Sequence, residues 1–381
     1  MENVVKTNSI VNILYALSTG FLCVSPLNIS LFNYLFRIPA LLIIVYLVLM
    51  VYQYETKKYT SAFLGLFAVF IFHFFVDTPF TVDIMLSTVS ILLYLYLIVI
   101  SDKVSLNIDN IRFINKCSIF TAFVLIAYSL SPMARLASYE GDVFTSPYLT
   151  YGFDNSNYAG ILTFLVFSSL FITRQAMGGK TKKINLLLCL VLLYLIYETN
   201  TRSALVAAIL VAFAEIIFYK RKMPQWLLLL LCSIPFAFVP VYLNLSNSGA
   251  IDDVEVMGKS VMSGRAEVFE NFIKTLSDSF YWALGNLKEN TLKNAHNGPL
   301  AILASCGILG FISYFYIFLS RIYNANKKVA NVTNKVAVFV LVACFVNTSG
   351  EAALLLGGFP IITYLFIFSV LSYSRQSYDT K

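Results

Sequence analysis

A histidine, two arginines and a group of asparagines are the residues in this chain whose types and positions can do chemistry. His296 is one of two histidines in the 381 residues and lies in the run Asn294-Ala295-His296-Asn297-Gly298-Pro299. Asn297 is a good N-cap and Pro299 suits an opening turn, so a helix is expected to start here with His296 at its mouth. An imidazole titrates near neutral pH and can accept a proton from an attacking hydroxyl; standing alone, the same residue reads equally as a polar cap. Arg265 follows Ser263 and Gly264, either of which can cap a helix, and Glu267 is well placed in the first turn. Val268, Phe269, Phe272, Ile273, Leu276 and Phe280 then recur at helical spacing, which predicts an amphipathic helix on the bilayer surface or against the rest of the protein. Free N–H groups at a helix start attract anions, and a guanidinium there either clamps a phosphate or anchors the helix to lipid headgroups. Beyond His296, Gly307 and Gly310 lie three apart on one helix face and allow close helix packing.

The elements that must carry these residues are dictated by composition. Hydrophobic residues make up 59% of the chain and charged residues 12%, against roughly 45–50% and about 25% in soluble domains. The excess falls in runs near the length needed to cross about 30 Å of hydrocarbon, and in lipid such runs must be helices to satisfy their own backbone. The expected fold is all-α, a polytopic integral membrane protein of about 12 transmembrane helices forming one domain over residues 1–381. The spans are placed at 8–25, 30–52, 60–76, 82–100, 113–132, 157–173, 184–198, 202–219, 225–243, 297–320, 335–350 and 354–373. The first run has no small-residue cleavage site and reads as a retained signal anchor. One large periplasmic loop, 244–296, separates helices nine and ten, irregular at first and helical from Ser263. The six cysteines all fall in or beside apolar runs without paired spacing, so they read as small core residues, not as disulfides or a metal site.

Most of the 27 Lys and Arg residues sort to one side of these spans, the segments around Lys57, Lys103, Lys180, Lys220 and Arg321 among them. By the positive-inside rule that side is cytoplasmic, both termini included. The net charge of +7 is therefore mostly a topology signal and not a nucleic-acid patch. The opposite, outer side collects His73; Arg135, Asn155 and Asn157; Glu198, Asn200 and Arg202; and Asn347, Ser349 and Glu351. Ionisable residues at membrane depth are candidates for function, although each of these also reads as a wetted helix end. They gather at one interface instead of at the midplane, and no internal repeat appears, which argues against a transporter.

With these residues in place, the sequence resembles the bacterial O-antigen polymerase and ligase superfamily. That family carries His, then Asn, Ser or Gln, nine residues, Gly, two residues, and Gly, Thr or Tyr; here the motif reads His296-Asn297, nine residues, Gly307-Ile308-Leu309-Gly310. Thr201-Arg202-Ser203, Ser263-Gly264-Arg265 and the Asn-rich stretch from Gly152 to Gly160 are also similar, as is a large loop between spans nine and ten. The chain departs from the arginine, ten residues, glycine pattern of some members, since Phe213 and Leu276 stand where glycines would.

The resemblance implies glycan transfer from an undecaprenyl-diphosphate-linked oligosaccharide to a sugar hydroxyl, at the periplasmic face of the bacterial inner membrane, inverting and without metal or cofactor. Arg202 and Arg265 would stabilise the departing diphosphate, and His296 would take the proton of the attacking hydroxyl. Arg135 would help bind the donor or mark a loop end, and Asn155, Asn157 and Asn297 would bind sugar hydroxyls or cap helices. No Asp-x-Asp motif appears in an outer loop, in keeping with a metal-free reaction. Joining repeat units (polymerase) is preferred over passing polymer to lipid A-core (ligase), because of the Asn-rich segment and modest length; a flippase or transporter is the reading from another class. Membrane lipids, a chain-length regulator and a flippase are the expected partners, with no nucleic acid.

Overall fold

The computed structural model describes residues 2–24, 39, 42–43, 59–76, 82–101, 106–139, 142–153, 155–218, 221–249, 254–260, 265–277, 281–286, 296–351, 366–367 and 370. In chain order the helices are α1 (Glu2–Val24), α2 (Thr60–Val76), α3 (Val82–Ile100), α4 (Ile108–Ser129), α5 (Ser156–Thr173), α6 (Gly179–Glu198), α7 (Arg202–Ile217) and α8 (Gln225–Asn247). After these come α9 (Arg265–Ser277), the single turn α10 (Tyr281–Leu284), α11 (Gly298–Lys327) and α12 (Val332–Asn347). The expected spans at 60–76 and 82–100 coincide with α2 and α3. Most of the expected spans 30–52 and 354–373 lie outside the described residues, as do Ser263, Gly264 and Phe280. Among the described residues, α4, α5, α8 and α11 are long and apolar enough to cross a membrane, and α2 and α12 are shorter apolar helices. The chain is thus a mostly helical membrane protein. All six cysteines are free thiols within helices.

Outside the helices the structure departs from an all-α reading in two small places. The connection from α4 to α5 forms an antiparallel hairpin, β1 (Leu136–Tyr139) with β2 (Asp142–Thr145), preceded by a 3-10 turn at Pro132–Arg135. The segment after α8, expected to be irregular, forms a second hairpin, β3 (Glu255–Val256) with β4 (Lys259–Ser260). Its turn is Met257-Gly258, both at positive φ. Gly supplies that conformation without cost, which is how so short a pair closes.

Two helices form the centre. α5 is buried from Ala159 to Thr173 and α12 from Thr333 to Asn347; a helix apolar all round belongs inside the bundle. α7 packs on α12 through Ala204, Ala207, Ala208, Val211 and Ala214, small side chains that let the backbones approach where no hydrophobic effect separates protein from lipid. α5 meets the α6–α7 turn just as closely: a Cβ at Gly160 would stand 2.2 Å from Thr201 Oγ1. The Thr201 hydroxyl donates to the Ser156 carbonyl at 3.0 Å. These contacts bring the starts of α5 and α7 to the same end of the bundle as the C-terminus of α12.

Asparagines set several helix starts. Asn107 and Asn110 form a reciprocal capping box on α4, and Asn155, Asn297 and Asn331 accept from the first-turn amides of α5, α11 and α12. In each case the side-chain oxygen satisfies an amide that has no partner within the helix.

Candidate functional site

The polar residues at this end of the bundle converge on Glu351, which follows the turn Thr348-Ser349-Gly350 at the end of α12. Asn157, in the first turn of α5, donates its amide to Glu351 Oε1. Arg265, the first residue of α9, donates from Nη2 to the same oxygen at 3.4 Å. His296 Nδ1 lies 3.8 Å from Glu351 Oε2, an electrostatic contact and too long for a hydrogen bond. The Glu351 side chain is only 11% exposed, so its charge acts in a medium far less screening than water. Three segments distant in sequence thereby meet one carboxylate. From the sequence Glu351 reads only as an outer-turn residue, because nothing local to it marks its partners.

Arg202 opens α7 and lies within electrostatic reach of Arg265, Tyr242 and Tyr148. Ser203 and Arg265 both border Gly350: a Cβ there would stand 3.2 Å from Ser203 Cβ and 3.5 Å from Arg265 Nη1. Arg265 and the imidazole therefore border one acidic turn, with Arg202 within electrostatic reach of Arg265.

Each side chain is held by a local device. α9 docks on α8 through Phe269, fully buried, whose ring meets Tyr242 edge-on at 5.5 Å and Phe238 at 6.4 Å. One helical turn separates Phe269 from Arg265, so this contact aims the guanidinium inward at Glu351. α9 thus packs against the protein, one of the two expectations for it. His296 adopts φ +46, in the left-handed region that few non-glycine residues occupy. Asn297 follows with its side chain fully engaged, accepting from the Leu300 amide at 2.9 Å and donating to the Pro235 and Ser349 carbonyls, each at 3.2 Å. The Gly298 amide donates to the Thr348 carbonyl at 2.8 Å. Asn297 thus ties the start of α11 to α8 and to the turn bearing Glu351.

The remaining candidates fall elsewhere. Asn155 accepts from the Asn157 amide at 2.9 Å and caps α5. Arg135 pairs with Glu198 Oε2 at 2.9 Å and donates to the Pro147 carbonyl, holding the β1–β2 connection to the end of α6. His73, buried in α2, donates from Nε2 to the Leu284 carbonyl at 2.8 Å. Asn200, at φ +54, donates to the Met257 carbonyl at 2.9 Å and fixes the β3–β4 hairpin.

Gly307 differs from its expected role. It is not a small residue on a helix face but the point where α11 breaks, at φ +60 and ψ −172. Into that break fits the backbone of α10 and Gly285: a Cβ at Gly307 would stand 2.3 Å from the Ala283 carbonyl, and one at Gly285 would stand 2.3 Å from that of Ser305. The Asn286 amide donates to the Ala304 carbonyl at 2.7 Å. Gly307→Ala is expected to cost about 1–3 kcal/mol in backbone strain alone, with the overlap added. The check is the apparent Tm of the purified protein, which should fall by several degrees; an unchanged Tm would mean that α10 does not seat here.

A helical membrane protein with a cationic cluster around a buried acid at one end of its bundle is the class that fold and site define. Residues 187–315 match a family model described as O-Antigen ligase, which bears out the resemblance to the O-antigen polymerase and ligase superfamily, membrane enzymes of the glycosyltransferase kind. The match covers Arg202, Arg265 and the motif from His296 to Gly310; Asn157 and Glu351 lie outside it. No curated protein matches the chain.

Proposed function

We propose that this protein polymerises undecaprenyl-diphosphate-linked oligosaccharide repeat units at the periplasmic face of the inner membrane, as an inverting, metal-independent glycosyltransferase. The observation that carries the proposal is the convergence of Arg265 and His296 on Glu351 beside Arg202. In the reaction the acceptor hydroxyl attacks the anomeric carbon of the donor sugar. His296 takes the hydroxyl proton, the new C–O bond forms, and the bond to the diphosphate breaks with its electron pair leaving on phosphate oxygen. Charge growing on that leaving group is what two preplaced guanidinium groups stabilise without reorganising. Glu351, near His296 Nδ1, stabilises the imidazolium formed as the proton arrives. It also holds Arg265 in place until the diphosphate takes over the pairing. Asn157, and at greater distance Arg135, serve the donor and acceptor sugars. A flippase supplies the donor, and a chain-length regulator works alongside.

Arg265→Lys should lose activity by roughly 100-fold, because an ammonium cannot reproduce a bidentate phosphate clamp. Transfer assays with purified lipid-linked repeat check this, and a rate near wild type removes Arg265 from the leaving-group role.

Transfer of finished polymer to lipid A-core is the second reading, favoured by the description of the matched family model. Deleting the gene in its native host and resolving the surface polysaccharide beside its lipid-linked intermediates separates the two. Core carrying a single repeat, with the ladder lost, supports polymerase. Bare core with polymer stranded on the carrier supports ligase. An unchanged ladder overturns both.

A further inference from the structure

α5 and α7 begin at the Glu351 cluster and end, roughly 20–25 Å away at 1.5 Å per residue, at a second charged feature. There a cavity of about 540 Å³ opens between α5, α6 and α7. Its walls are Phe171, Leu186, Ala212 and Ile216, and its polar element is the ion pair of Arg174 with Glu215. Both charged side chains are nearly buried, 10% and 15% exposed. Gln175 donates to the other Glu215 oxygen at 2.6 Å, and the Arg174 guanidinium lies 4.5 Å from the centre of the Phe171 ring. The Arg174 Nε–H is buried and has no acceptor. The outer lip, Leu186 and Ile216, is exposed and continues into the exposed apolar residues Leu187, Leu190, Phe213 and Ile217. The cavity therefore opens sideways onto an apolar surface of the bundle.

A buried charge pair in such a place costs free energy unless its remaining donors and acceptors are used, and an unmade hydrogen bond at a buried donor costs about 1–3 kcal/mol. The occupant must accept from Arg174, donate to Glu215 and lay apolar chain along the walls. The geometry points to a binding site for one zwitterionic phospholipid with an ethanolamine headgroup, phosphate on Arg174 and ammonium on Glu215. A phosphatidylglycerol headgroup offers the Glu215 charge only neutral hydroxyls, and a choline headgroup has no N–H to donate. The cavity is of the size that holds a headgroup and the first part of its chains. In the orientation proposed above, this site faces the cytoplasmic leaflet, and the lipid would brace the far ends of two helices whose near ends carry Asn157 and Arg202.

Native mass spectrometry of the full-length protein, titrated with phosphatidylethanolamine, phosphatidylglycerol and phosphatidylcholine, tests this independently of glycan transfer. Phosphatidylethanolamine should be retained about tenfold better than either of the others. Glu215→Gln should bring the three within about twofold of one another. Ala212→Trp fills the cavity while keeping both charged residues; it should weaken phosphatidylethanolamine binding and serves if Glu215→Gln does not fold. Equal retention of the three lipids, a preference for phosphatidylglycerol, or undiminished binding in Ala212→Trp would overturn the proposal.

Discussion

His296→Ala is expected to abolish polymer formation while leaving a folded protein in the membrane. A positioned general base contributes roughly 100- to 10,000-fold, and no second imidazole stands near Glu351 among the described residues, since His73 is committed to the Leu284 carbonyl. The fold should tolerate the change. The start of α11 is held by Asn297 and by the Gly298–Thr348 backbone bond, and neither uses the imidazole. The one local cost is the left-handed backbone at position 296, about 1 kcal/mol for a non-glycine residue. Expression level and elution profile should therefore match wild type while transfer of lipid-linked repeat falls to background. Activity within a few-fold of wild type would remove His296 from proton transfer and leave it as the polar residue before an N-cap.

Glu351→Gln is expected to slow transfer as well, and through His296. Two unit charges about 4 Å apart interact by about 4 kcal/mol at an effective dielectric near 20. If half of that stabilises the imidazolium in the transition state, its loss slows transfer about 30-fold. Glutamine keeps the shape and can still accept from Asn157, so the change isolates the charge. It also leaves Arg265 without its counter-ion beside Arg202, and the apparent Tm should drop. A purely structural role predicts that drop with the rate retained. A rate within a few-fold of wild type would place Glu351 outside the proton-transfer path.

How much of this was legible in the sequence depended on whether the signal was local. The helices at 60–76 and 82–100 follow from their apolar runs, because such runs satisfy their backbone as helices. The helix starting after His296 follows from Asn297 and Pro299, because a cap acts within one turn. The amphipathic pattern around Phe269 marks α9 for the same reason. What each pattern left open was its partner. Phe269 was equally suited to a lipid surface, and only the aromatic pocket of Tyr242 and Phe238 on α8 turns Arg265 toward the protein. Gly307 was read as a face for helix packing; the break it permits, and the backbone it admits, depend on α10 arriving from another part of the chain.

The sequence by itself determined that this is a multi-helix membrane protein, which residues stand at its helix ends, and which superfamily motif it carries, since hydropathy, capping and motif spacing are properties of neighbouring residues. Only the tertiary structure decided that Asn157, Arg265 and His296 meet at Glu351 and that Arg135 belongs to Glu198. Those pairings join residues from tens to nearly two hundred positions apart, and they exist because α5, α7 and α12 pack closely enough to bring their ends to one place.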